Sequence, residues 1–278
     1  MFAGHETTAN VLHFSFIYLA MNFIAQQHLQ SDIDEVVGSR PSSSWTYQID
    51  MRKLFNSMVG AVLHETLRMI PPIMHVPKVN RGEPKQVTID GKTISVPGNG
   101  TYLHMETITM NRSPRYFPHS PSKVTSCEHD LEDYVPERWL RDSADISQDD
   151  RSEKQIDGLE VASFEVNGSL FRPVKGAWMP FSEGPRACPG RRFAEVEVIA
   201  VLSLVFKQYS VELDVRRWAT DEEVEKMSPK EKRDVYAKAQ RRAKDLIRGS
   251  ISTFTLKMEG DPVPVRFVRR GTESFSRL

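Results

Sequence analysis

A mainly helical fold with a small β-sheet (α+β) is predicted by three observations on this sequence. Apolar residues recur at Val11, Phe14, Ile17, Tyr18 and Met21, the period of one helix face turned to a core. Two further apolar runs read as helices, Leu54-Phe55 with Met58-Val59 and Val62-Leu63, and Phe193 to about Tyr209. Against these stand short alternating segments, the clearest being Val87 to Val96 around Asp90-Gly91, a favoured two-residue hairpin turn.

The totals bound the rest. At 278 residues the chain is long enough for one large domain or two small ones. Hydrophobic content of 39% and charged content of 27% predict a globular core. Lys+Arg and Asp+Glu are both 37, so net charge offers no argument for nucleic acid as a partner. The two cysteines, Cys127 and Cys188, form no C-x-x-C spacing, which argues against a zinc site or a disulfide framework. The start Met1-Phe2-Ala3-Gly4-His5-Glu6 lacks the basic region of a secretory signal. His13, Ser15 and Asn22 interrupt the apolar run Val11 to Ile24, and no stretch is long and apolar enough to cross a bilayer.

Along the chain, Ala3-Gly4-His5-Glu6-Thr7-Thr8 enters the first helix. Glycine and two threonines are poor helix material, and a threonine hydroxyl that bonds back to a carbonyl bends a helix. Gln26 to Val37 continues as helix and ends near Gly38, and 41–50 is loop. The next amphipathic helix carries Glu65 and Arg68, three residues apart and able to pair. Pro71-Pro72 ends it, and Ile73 to Lys78 reads as a strand. Tyr102 to Met110 is mixed. Residues 142–158 are polar and acidic and read as a surface insert, and Phe164 to Ser169 is weakly strand-like. Residues 221–248 hold seven acidic and nine basic side chains and read as a solvated helix, with Ser228-Pro229-Lys230-Glu231 as its capping box. Gly249 to Met258 and Val263 to Arg269 read as closing strands joined by the turn Gly260-Asp261-Pro262.

The most informative stretch is Phe181-Ser182-Glu183-Gly184-Pro185-Arg186-Ala187-Cys188-Pro189-Gly190. Its residue types suit bringing one thiolate close to a flat ligand. Gly184 and Gly190 remove side chains where backbone approaches closely, and Pro189 suits the first helical position. The following helix would turn its N-terminal N–H groups to the sulfur and favour the thiolate, with Arg186 as a nearby cation and apolar neighbours excluding water. A lone cysteine is otherwise an inert small hydrophobe.

The pattern Phe-x-x-Gly-x-Arg-x-Cys-x-Gly, filled by Phe181, Gly184, Arg186, Cys188 and Gly190, resembles the haem-binding loop of cytochrome P450 monooxygenases of the fungal microsomal type. Ala3–Thr8 resembles the family's oxygen-binding helix. Glu65-Thr66-Leu67-Arg68 and Pro136-Glu137-Arg138-Trp139 resemble two later elements, in family order. The resemblance runs from Ala3 to about Arg269 and implies the C-terminal portion of the P450 fold, a single partial domain over 1–278. The chain opens inside the first motif, as expected of a piece of a longer protein.

By that resemblance the cofactor is haem b, with Cys188 as the axial iron ligand and Phe181, Gly184, Arg186 and Gly190 around it. Thr7 would bond the bound oxygen and Glu6 would belong to the proton path. Glu65, Arg68 and Arg138 would form a buried structural network. Lys78, at a position often held by arginine, and His75 would reach a haem propionate, and Ile251 to Phe254 would touch substrate. Electrons would come from NAD(P)H through a NADPH-cytochrome P450 reductase-type donor, with Arg191 and Arg192 either facing that donor or solvated. Dioxygen and a small hydrophobic organic substrate would be the reactants, with no nucleic acid, and the family's usual place is the endoplasmic reticulum membrane. The alternatives are a truncated non-catalytic fragment and a haem-thiolate isomerase or dehydratase; the Glu6–Thr7 pair argues against the latter.

Overall fold

Helix α1 (Phe2–Met21) buries Val11, Phe14, Ile17, Tyr18, Leu19 and Ala20 and forms the centre of the core. The computed structural model describes residues 2–89, 91–140, 170–252, 255–258 and 260–276. The readings for 142–158, Phe164 to Ser169, Asp90 and the end of the Ile251–Phe254 segment lie outside the described residues. The helix expected to run on past Asn22 breaks there. The Asn22 side chain accepts the Ala25 N–H at 3.1 Å and so starts α2 (Phe23–Val37), an N-cap that competes with helix continuation. The two axes differ by 112°. Among the described residues no single helix is long and apolar enough to cross a membrane.

Where loop was expected before the second apolar run, a 3₁₀ turn (Ser42–Ser44) and a π turn (Tyr47–Met51) precede α3 (Arg52–Phe55). Buried Asp50 organises them, accepting the Thr46 N–H at 2.6 Å and pairing with Arg40. Then α4 (Met58–Met69) follows a sharp corner. A Cβ on Gly60 would lie 1.8 Å from the Phe55 carbonyl oxygen, so only glycine admits this approach. The sequence predicts an amphipathic helix here, yet all twelve residues of α4 are buried. The reason is packing from every side, by α1, α2, α3, α5 (Thr107–Asn111), the 3₁₀ turn Pro136–Trp139 and α6 (Arg191–Gln208).

The β structure consists of two-stranded antiparallel pairs: β1 (His75–Asn80) with β4 (Thr101–Glu106), and β2 (Lys85–Ile89) with β3 (Lys92–Val96). Strand β5 (Tyr209–Leu213) leaves α6 directly and pairs with β8 (Val265–Arg269). The other edge of β5 is held by α2, one turn apart: Gln26 bonds both backbone groups of Val211 at 2.7 and 2.9 Å, and Gln30 donates to the Tyr209 carbonyl at 3.1 Å. The expected closing hairpin therefore pairs differently. β6 (Ile251–Ser252) pairs with β7 (Leu256–Lys257), and 263–269 goes to β5. The backbone around Leu256 is committed elsewhere, its N–H to the Pro72 carbonyl and its carbonyl to Asn10, both at 2.8 Å.

The charged segment forms α7 (Asp221–Lys226) and α8 (Pro229–Arg248), each opened by a capping box, at Thr220/Glu223 and Ser228/Glu231. The solvated reading of α8 is half the account. Val235, Tyr236, Ala239, Ala243 and Ile247 form a buried stripe, and 3.6-residue spacing hides it in a charge-rich composition. Tyr236 closes this interface, donating to the Ala20 carbonyl at 2.6 Å and accepting the Leu213 N–H at 2.9 Å. Replacing Tyr236 by Phe leaves both backbone groups buried and unpaired. The expected cost is about 1–3 kcal/mol, read as a lower denaturant midpoint at unchanged m-value.

Candidate functional site

Glu65 is wholly buried, and each of its carboxylate oxygens takes more than one donor. Arg68 grips it in fork geometry, Nε to Oε2 and Nη2 to Oε1, both at 2.8 Å. Arg138 Nε donates to Oε1 at 3.1 Å, the Val135 N–H to Oε1 at 2.9 Å and the Trp139 indole N–H to Oε2 at 2.8 Å. Burial pushes this carboxyl up, but the Arg68 charge and hydrogen bonds, then Arg138, outweigh it and hold it below the ordinary glutamate range. The guanidiniums spend their remaining donors on carbonyls: Arg68 on Asn111, Leu131 and Asp133, and Arg138 on Pro118 and Asp130. Arg138 also meets the Asp130 carboxylate at 3.1 Å. A buried charge set is tolerable only when satisfied in this way. It stitches α4 to the chain from 111 to 139.

Trp139 carries that order toward the cysteine. Its carbonyl accepts the Phe171 N–H at 2.7 Å and Leu140 bridges Leu170. Its ring lies 5.0 Å from that of Trp178. Three residues on, Phe181 begins the cysteine loop, with the Arg191 guanidinium 5.5 Å above its ring. The Cys188 N–H donates back to the Phe181 carbonyl at 2.8 Å and the Ala187 N–H to Gly184 at 2.9 Å. Ser182 (φ 59°) and Gly184 (φ 79°) occupy left-handed conformations, which for serine stores strain of about 1 kcal/mol or more.

Several details of this loop differ from expectation. Gly184 is needed for its φ, because a Cβ there would meet nothing within 4 Å. A Cβ on Gly190 would meet only the Cys188 sulfur, at an ordinary 3.9 Å. Pro189 precedes the cap, since Gly190 is the N-cap and α6 begins at Arg191. The first helical N–H, of Arg191, donates to the Cys188 carbonyl at 3.4 Å and not to the sulfur. The sulfur is not screened from water either. Cys188 is a free, exposed cysteine, and residues 183–193 are all exposed, Arg186 among them and Phe193 at 74%. No described element packs over that face.

Glu6 and Thr7 lie half-buried on α1. Glu6 is engaged by the far end of the chain, accepting from Thr255 Oγ1 at 2.8 Å and pairing with Lys257 Nζ at 2.8 Å. His75 sits opposite Glu106 in the β1–β4 ladder with 3.6 Å between side chains. Lys78 is exposed on β1 opposite Leu103. Arg191 pairs with Glu195 at 2.9 Å.

Comparison with known proteins settles the lineage. The cytochrome P450 family model matches residues 1–236. The chain belongs to the cytochrome P450 family. It is 31% identical to cytochrome P450 monooxygenase 124 of Postia placenta over 216 residues, 77% of this chain and 33% of that protein. It is 29% identical to cytochrome P450 4V2 of Mus musculus over 217 residues, 78% of this chain and 32% of that protein. With cytochrome P450 4d2 of Drosophila melanogaster it shares 29% over 211 residues, 76% of this chain and 33% of that protein. The chain spans about a third of the length of these relatives.

Two features of this P450 chain carried little or no sequence signal. Lys257 and Thr255 had no local signal, lying some 250 positions from Glu6. His64, next to Glu65, carried a weak one. It is buried among the rings of Phe55, Trp139 and Trp178, at 5.4, 5.1 and 4.8 Å. Neither of its ring nitrogens meets a hydrogen-bond partner among the described residues, nor does the Trp178 indole nitrogen.

Burial, then the charges of Arg191 and Arg172, push the His64 imidazole down to about 3. The folded chain therefore refuses a proton that the unfolded chain accepts below pH about 6.5. Stability from this group is complete above that pH and falls as pH drops toward 3. Between pH 7 and pH 4 the loss expected from His64 alone is about 3 kcal/mol. Unfolding free energies of wild type and His64→Phe at the two pH values should diverge by that amount, the variant being the less acid-sensitive.

Proposed function

We propose that this chain carries the haem-thiolate portion of a monooxygenase, as a single partial domain over 1–278, with Cys188 as the axial ligand of haem b. One observation carries the reading: a free, exposed thiol on a loop closed by the Cys188-to-Phe181 hydrogen bond and backed by the buried Glu65 network. The residues present fit the group. Half-buried Phe181 and exposed Phe193 offer apolar surface on the same stretch as Cys188, and Arg186 offers a cation for an anionic edge.

When bound, haem supplies the reductive activation of dioxygen, with electrons from NAD(P)H arriving through a NADPH-cytochrome P450 reductase-type donor. The protein's share is positional. The loop holds one thiolate at a fixed place at the head of α6. Glu6 holds and moves a proton at its carboxylate, beside the Thr7 hydroxyl on the same helix. Lys78 offers a point charge to a propionate, and His75, engaged by Glu106, is the weaker candidate. The substrate class is a small hydrophobic organic molecule. A specific observation favours a second reading for the chain by itself: exposure of 183–193 leaves the sulfur open to water, which suits haem ligation without turnover.

The test is the carbon-monoxide difference spectrum of the reduced, haem-loaded chain. A thiolate-type Soret band that disappears in Cys188→Ala is the expected result. Absence of haem uptake by the unmutated chain, or a band unchanged in Cys188→Ala, contradicts the assignment. Reductase-supported product formation separates the two readings.

A further inference from the structure

The acid of the oxygen-helix motif is fastened by two residues, Thr255 and Lys257, of a stretch near the C-terminus whose other two residues, Leu256 and Met258, meet the same helix. Thr255 and Lys257 both reach Glu6, at 2.8 Å each. Asn10 donates to the Leu256 carbonyl at 2.8 Å, and His13 Nε2 meets Met258 Sδ at 3.3 Å. Glu6, Asn10 and His13 are spaced i, i+4, i+7 and share one face of α1, so the 255–258 segment lies along that face like a strap. Elsewhere the strap is held by the Leu256 N–H, which donates to the Pro72 carbonyl at 2.8 Å, by its pairing with β6, and by the burial of Leu256 and Thr255.

The charges on this strap are asymmetric. The Glu6 side chain is 20% exposed and that of Lys257 59%. The cation approaches from solvent and can leave without being stranded in the interior, whereas the carboxylate that it leaves behind is partly shielded. The groups facing Glu6 are Lys257 and Thr255 from the strap and His5 from its own helix. The Lys257 hydrogen bond, then that of Thr255, hold the Glu6 carboxyl below the ordinary range. A carboxylate held this way is a poor proton carrier at neutral pH, because a group that must both take up and release a proton works best with a pKa near the operating pH. Loss of the lysine moves it in the useful direction.

We propose that Lys257 is a positioning residue that locks Glu6 onto the C-terminal strap, and that the strap's release from α1 frees Glu6 to take a proton from water and pass it on along the Thr7 side of the helix. The inference rests on the reading of Glu6 as a proton carrier in the proposed function. Lys257 acts through Glu6 and touches neither cofactor nor substrate.

Carbon-13 NMR of the side-chain carboxyls in the 278-residue chain, with the Glu6 resonance assigned by its loss in Glu6→Gln, reads the lock directly. In wild type Glu6 titrates below the ordinary glutamate range. In Lys257→Met its midpoint rises, and the Leu256 amide, bonded to Pro72, exchanges faster. Lys257→Arg restores both, which a general loss of structure would not do. Because Lys257 is largely exposed, the methionine variant keeps the fold; Thr255→Val is the second variant and gives a smaller rise. An unchanged Glu6 midpoint in Lys257→Met overturns the lock, whatever the haem spectrum shows. A risen midpoint in a chain without the Cys188-dependent carbon-monoxide spectrum overturns instead the proton role that the lock serves, so the two failures are told apart.

Discussion

The buried negative charge on Glu65 is the constraint on which the rest of this structure depends. A carboxylate with no access to water has to be met by cations and N–H donors, and the donors come from three stretches: Arg68 one turn along the same helix, Arg138 and Trp139 from the short 3₁₀ turn, and the Val135 backbone. Meeting that requirement forces 130–139 against α4. It also buries α4 on its last free side, which is why a helix with an amphipathic pattern has no wet face. Such a network contributes uniqueness of arrangement more than net stability, since two guanidiniums and a carboxylate all pay desolvation. The surplus donors go to six described backbone and side-chain acceptors in neighbouring loops, which fixes segments that have little regular structure of their own.

The consequence for the candidate site is a gradient from dry to wet. Glu65 and Trp139 are inaccessible, Trp178 and Phe181 half-buried, and Cys188 open to solvent. Order passes outward through aromatic contacts and the hydrogen bond from Phe171 to Trp139, so the thiol rests on a rigid base although its own surroundings are hydrated. The second acidic residue of interest, Glu6, shows the opposite arrangement: a carboxylate near the surface, held by an exposed lysine from the other end of the chain. Where a group is buried its pairing is structural; where it is half-exposed the pairing contributes little to stability.

Residues acting over short sequence distances were legible. Glu65 and Arg68 are three apart, the Ser228–Glu231 capping box is local, and the ten-residue loop around Cys188 carries its glycine and its cysteine in a fixed pattern. The main helices followed from apolar period, and the β2–β3 hairpin from alternation around Asp90-Gly91. What was not legible depends on partners distant in the chain. The Asn22 break arises because one amide side chain caps α2 and donates to the Tyr134 carbonyl. The partner of β8 is decided by commitments already made at Leu256. The stripe on α8 is diluted by charged neighbours, and the Lys257–Glu6 pair spans almost the whole chain. In the loop itself the residue types were readable, but the reason for Gly184 was its backbone angle and not crowding.

The most direct test of the central claim is the unfolding free energy of Glu65→Gln at neutral pH. The variant keeps shape but removes the charge and turns one acceptor oxygen into an N–H donor among donors, which leaves Arg68 buried without a counter-ion. A loss of about 3–5 kcal/mol is expected, together with faster amide exchange at Val135. A change within about 0.5 kcal/mol, as at an ordinary surface position, with Val135 still protected, would contradict the view that this one charge organises the fold.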